Sequence, residues 1–103
     1  NVKNVRLIRL GNDDDVISEY VEEGEFYRLI NPMNLIIEAD IQNQKQNIYM
    51  YSWLPQGVIK DKTALVRKDI VICICELEED IVVYEAKLKE LNNPIINRIF
   101  DAR

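Results

Sequence analysis

Ile70–Leu77 is the stretch that most constrains how this chain can fold. Ile70, Ile72 and Ile74 alternate with Val71, Cys73, Cys75 and Leu77, and Glu76 is its only polar residue. Read as a β-strand, it has no polar face and calls for cover on both sides. A chain of 103 residues is one small domain with a modest core. One side of the strand can line that core. The other is then left for a neighbouring subunit.

The segments before it read as further strands, each stopped by turn chemistry. Val5–Leu10 ends at Gly11-Asn12-Asp13-Asp14, and Val16–Val21 ends at Glu23-Gly24. Glu25–Ile30 is interrupted by Asn31-Pro32, where proline cannot donate to a ladder, and Met33–Glu38 resumes the extended pattern. Gln42 to Asn47 is polar throughout and reads as a solvated loop. In Ile48–Leu54, Tyr49, Tyr51 and Trp53 share one face, with Ile48, Met50 and Leu54 on the other. Pro55-Gln56-Gly57 breaks that strand, Ala64–Val66 is another, and Lys68-Asp69 is a turn. From Glu78 the chemistry changes. Glu78, Glu79 and Asp80 suit a helix start, and Ile81, Tyr84, Leu88 and Leu91 follow at helical spacing. Asn92-Asn93-Pro94 ends the helix, and Ile95 to Phe100 reads as a short amphipathic turn or docking tail. The predicted architecture is mostly β: a small, strongly bent antiparallel barrel over about residues 4–77, a C-terminal helix over about 78–92 and a tail over 93–103, all in one domain.

Composition narrows the function. The chain has 13 Lys and Arg against 18 Asp and Glu, a net charge of −5, and no His. That balance argues against a broad phosphate-binding surface but leaves room for a few focused cations. The lack of His removes most catalytic triads and the commonest metal ligand. No nucleophile–base pair is readable, so the expectation is a non-enzymatic protein with no cofactor and no bound metal. Cys73 and Cys75 lie two apart on one face, a poor geometry for bridging each other. They read as reduced, buried, small apolar residues of an intracellular protein. A Cys-x-Cys metal site would need further ligands. Asp13-Asp14-Asp15 lacks calcium-loop spacing and reads as an exposed turn. The tyrosine and tryptophan stripe reads as core or subunit interface before it reads as a base-stacking platform. No apolar run reaches membrane-spanning length and no signal peptide is visible, so the expected location is the cytoplasm.

Two polar segments about thirty residues apart carry the most specific signal, because positioned loops on a rigid sheet are where binding concentrates. Met33-Asn34-Leu35 follows a glycine-containing hairpin, and Val66-Arg67-Lys68-Asp69-Ile70-Val71 runs into the apolar strand. This pair resembles the two Sm motifs of the Sm/LSm fold. Ile30 or Asn31 stands at the motif aspartate, Pro32 at the stacking aromatic and Lys68 at the motif glycine. Gly11–Asp15, Asn31-Pro32-Met33, Trp53-Leu54-Pro55, Asp69-Ile70-Val71 and Glu79 to Tyr84, in that order, are also similar to a family of small phage Sm-like proteins of marine and environmental origin.

The resemblance implies an Sm-like barrel and a homo-oligomeric ring of about five to seven subunits. It further implies binding of single-stranded nucleic acid, RNA before DNA, with a role in its processing, in the host cytoplasm if the chain is phage-encoded. Carried over, Asn34 would bond a base edge, Arg67 would stack on or hold the base, and Lys68 would lie beside it. Asp69 would orient the pocket and Asn31 would replace the missing aspartate. Unstacked bases offer the free edges and faces that such a site reads. The alternative is a protein-interaction or structural ring of phage origin with no nucleic-acid ligand. In that case Asn31-Pro32 only turns the chain, and Arg67-Lys68-Asp69 is a solvated hairpin.

Overall fold

A computed structural model describes residues 4–55, 57–82 and 96–101. Seven strands form one antiparallel sheet: β1 (Val5–Leu10), β2 (Asp15–Glu23), β3 (Phe26–Asp40), β4 (Lys45–Ser52), β5 (Thr63–Arg67), β6 (Val71–Glu76) and β7 (Ile96–Asp101). Their order is β6-β1-β2-β3-β4-β7, and β5 pairs with β3 beside the β4 ladder. Three-residue 3-10 turns, Lys60–Lys62 and Lys68–Ile70, precede β5 and β6.

The 15-residue β3 organises the sheet. Its first half, Phe26–Ile30, pairs with β5, and its second half, Met33–Asp40, pairs with β4. The two halves meet at Asn31-Pro32. Asn31 has φ 49°, in the left-handed region that asparagine tolerates better than most residues. The chain therefore bends at this point without leaving the sheet. A bulge between Ile17 and Glu19 on β2 faces the bend, and bulges increase local twist. The fully buried Ser18 sits in that bulge. Its hydroxyl lies within hydrogen-bond distance of the carbonyls of Glu19 (2.7 Å) and Ile30 (3.2 Å), so the buried polar group is satisfied. The β2–β3 loop is the two residues Gly24-Glu25, with positive φ only at Gly24 (61°), the type II′ pattern that suits hairpin twist.

Apolar residues on the two faces build two cores. Ile8, Leu10, Val16 and Leu29 are buried together, packed by Tyr20, Tyr27, Trp53, Val66, Val71 and Ile74. This cluster draws on both β5 and β6, which lie at opposite margins of the β6-β1-β2-β3-β5 part of the sheet, so that part must curl around it. The opposite face holds Val5, Ile17, Met33, Ile48 and Met50, packed by Leu35, Leu77, Ile81 and Val82. Helical residues 79–82 thus cover one outer face. Each fully buried aliphatic side chain stabilises the fold by roughly 1.5–3 kcal/mol relative to exposure.

The structure is mostly β and antiparallel as expected, although the two extended segments on either side of Asn31-Pro32 form one long strand, β3. The curl, however, stops short of a closed barrel. β5 and β6 are joined by the Lys68–Ile70 turn and not by a ladder. Three further expectations change. The apolar run is not buried on both sides: Ile72 in β6 is 60% exposed and Ile70, in the turn before it, 41%. Its cover comes from β1 on one edge and the core beneath, and among the described residues nothing lies beyond it. Residues Ile96–Asp101 form strand β7, docked on β4 by strand pairing and not as an amphipathic turn. Lys45-Gln46-Asn47 belongs to β4, not to a loop, because β3 runs on to Asp40 and pairing satisfies backbone groups whatever the side chains. Residues 83–92 of the expected helix lie outside the described residues. No helix among the described residues is long and apolar enough to cross a membrane.

Candidate nucleic-acid interface

The two polar segments occupy different places. Asn31 is half-buried and Pro32 is buried within the β3 bend. The Pro32 carbonyl accepts the Trp53 backbone N–H at 3.0 Å. Trp53 Nε1 in turn donates to Asp14 Oδ2 at 3.2 Å. The Asn34 amide donates to the Tyr51 hydroxyl, its register partner on β4. These polar groups are therefore spent on holding β3, β4 and the β1–β2 turn together.

Arg67, Lys68 and Asp69 lie at the far end of β5. Ile30 is paired with Thr63 and Phe26 with Arg67. Arg67 is thus four positions along the ladder from the residue preceding Asn31, roughly 13 Å at strand spacing. The structure does not bring Asn31 and Asn34 to Arg67. It brings the acidic β2–β3 turn there instead. The Lys68 N–H donates to the Glu25 carbonyl at 2.9 Å, and Lys68 Nζ contacts Glu22 Oε2 at 2.8 Å. The same ammonium lies 5.1 Å from the centroid of Tyr27, whose ring packs edge-on against Tyr20. Arg67 pairs with Asp69 at 3.2 Å, the two side chains being 65% and 68% exposed. Arg28 grips Glu23, with its Nη2 donating to Oε1 at 3.0 Å, and reaches Thr63 Oγ1 at 3.4 Å.

Charge at this corner is nearly self-cancelling. Glu22, Glu23, Glu25 and Asp69 oppose Arg28, Arg67 and Lys68, four negative charges against three positive. The hydrogen bond to Glu22 raises the Lys68 pKa, and the bond from Arg28 lowers that of Glu23. Both shifts hold these groups charged and paired. A phosphate approaching here would compete with carboxylates already in place, although exposed pairs of this kind are weak enough to exchange. Glu22 to Glu25 carry no motif signal. The sequence clue to them was their position at the turn before the strand that β5 joins, and that pairing is long-range.

The other noted clusters resolve simply. Asp15 bonds Arg9 at 2.7 Å and Asp14 accepts from Asn12 and Trp53. No group of three His, Cys, Asp or Glu that could hold a metal exists among the described residues. Trp53 packs on the inner core, as expected of the aromatic stripe. Cys73 is half-buried and Cys75 exposed, which corrects the expectation that both are buried. The edge position of β6 is the cause. Compared with known proteins, the chain matches no family model and no curated protein.

Proposed function

We propose that this chain is the protomer of an Sm-like, edge-to-edge homo-oligomeric ring whose output is protein assembly and not catalysis. One observation carries the reading. β5 and β6 each pair with a single strand among the described residues, and they flank the same three-residue turn. Among the described residues every copy therefore presents two open edges of different sequence beside this turn, in addition to the outer edge of β7 at the other end of the sheet. Unpaired N–H and C=O groups along a strand are a template for another strand. When two different edges of one chain join, the contact is head-to-tail, and such contacts close into a ring where the rotation between copies closes and run on as a filament where it does not. Exposed apolar side chains sit on both strands, Leu65 at 48% and Ile72 at 60%, where burial on association would be favourable. The internal pairing of Lys68 and Arg28 favours a protein partner over a polyanion.

Single-stranded nucleic acid is the second reading, and Arg67 favours it. Its guanidinium projects 65% exposed from the turn between the two edges, and a ring would gather one copy per subunit. Light scattering on the purified, nuclease-treated protein, with and without Ile72→Lys, tests assembly. We expect a defined oligomer that falls to monomer in the variant, with an unchanged circular dichroism spectrum. A monomeric native chain at micromolar concentration sinks the ring. Anisotropy titrations with short labelled U-rich and A-rich RNA at two salt concentrations separate the two outputs. Salt-weakened micromolar binding that Arg67→Glu removes would replace the protein-assembly reading with the nucleic-acid one.

A further inference from the structure

Cys73 and Cys75 of β6, half-buried and exposed respectively, carry chemistry that the proposed assembly does not use. Cys73 and Cys75 point the same way from an edge strand, as residues two apart must. Their sulfurs are 3.9 Å apart, with the Cys75 thiol aimed at Cys73. That is too far for a disulfide bond, about 2.05 Å, and close to the span of two ligands on one metal. With a metal–sulfur bond of about 2.3 Å, sulfurs separated by 3.9 Å subtend roughly 115° at the ion. This lies between tetrahedral and trigonal angles. The strand puts both side chains on one face, and their rotamers already bring the sulfurs to this spacing.

We infer that Cys73 and Cys75 form a bidentate dithiolate site for a soft, thiol-seeking metal ion, Cu(I) in particular. Thiolate donors select soft ions. Two donors from one chain suit an ion that is stable at low coordination, with an external thiol able to fill a third position. Binding is a ligand exchange without redox change: two S–H bonds are lost, two S–Cu bonds form, and two protons leave to solvent. Arg9 lies opposite Cys73 in the β1–β6 register, so its positive charge offsets the anionic complex. Asp15, which pairs with Arg9, partly opposes this. The hydrogen bond to Cys73 is the main cause that raises the Cys75 pKa above its ordinary value, with Arg9 pulling the other way. The ion must therefore displace protons, as thiolate sites generally require. Cys75 is exposed and Cys73 half-buried, which leaves a way in for the ion.

The test is an anaerobic titration of the reduced full chain with Cu(I) against a competing chromogenic chelator. We expect one copper per chain, a near-ultraviolet thiolate-to-copper absorption band, and loss of affinity by more than about tenfold in both Cys73→Ser and Cys75→Ser. Copper left on the chelator by the native chain overturns the site. So does a serine variant that binds as well as the native chain, or a stoichiometry of one ion to two chains. A second measurement does not depend on the variants folding. Phenylarsine oxide should condense with both thiols, releasing one water and leaving no titratable thiol after one equivalent. Two thiols still free at that point would also overturn the inference.

Discussion

The bend at Asn31–Asn34 and the turn at Arg67–Asp69 look alike in the sequence, since each sets polar residues against a hydrophobic strand. In the fold they are opposites. The bend is interior: Pro32 is buried, Met33 is 4% exposed, and Asn34 is tied to Tyr51. The turn is exterior, with Arg67 and Asp69 about two-thirds exposed and held mainly by each other. A polar side chain beside an apolar strand thus serves structure where it meets a neighbouring strand, and remains free for partners where it meets water.

Substitutions should divide along this line. Met33→Ala, in the bend, leaves a cavity among Val5, Ile17, Ile48 and Met50. It should cost about 2–5 kcal/mol in urea denaturation; a loss below that range would mean the bend is loosely packed. Tyr51→Phe removes the acceptor of the Asn34 amide. The expected loss is about 0.5–1.5 kcal/mol, and no loss would show that water replaces the contact. Arg67→Glu should change stability by no more than about 0.5 kcal/mol, because exposed ion pairs contribute little. A larger destabilisation would make the turn structural and erase the contrast.

Acid should separate the two regions most finely. Arg28 holds the folded-state pKa of Glu23 below its ordinary value of 4.5, chiefly through the direct hydrogen bond. A carboxyl lowered by folding contributes stability that is present above 4.5 and lost as pH falls through the lowered value. The corner near the turn should therefore weaken slightly below that pH. Arg28→Met should flatten the Glu23 part of the acid response in two-dimensional NMR titration. Signals of Asn34 and Tyr51 should stay still, since the hydrogen bond between them involves no carboxylate. Movement of those signals with the Glu23 titration would show the two regions to be coupled.

Much of the fold was legible because strands announce themselves locally. Alternation and turn residues located β1, β2, both halves of β3 and β4, a continuous apolar run located β6, and Glu23-Gly24 marked the turn between β2 and β3. The misjudged places were those where the backbone had reason to pair and the side chains gave no sign of it. Lys45-Gln46-Asn47 is polar yet sits in β4, and Ile96–Asp101 lies on β4's outer edge. The candidate site was half legible. Arg67-Lys68-Asp69 is an exposed turn, as its composition suggested. Its neighbours are Glu22 to Phe26 and not Asn31 and Asn34, because β5 pairs antiparallel to β3 and this register sends the end of β5 to the β2–β3 turn.

The amino-acid sequence by itself determined the β character, the main turns, the bend at Asn31-Pro32 and the apolar run that became β6. Each follows from local stereochemistry or from the spacing of apolar residues along a few positions. Only the tertiary structure decided which strands are neighbours, and with them the acidic surroundings of Lys68, the open edges of β5 and β6, and the exposure of Cys75. Those depend on register between segments as far apart as Arg6 and Glu76, where one position of slip exchanges the two faces of a strand.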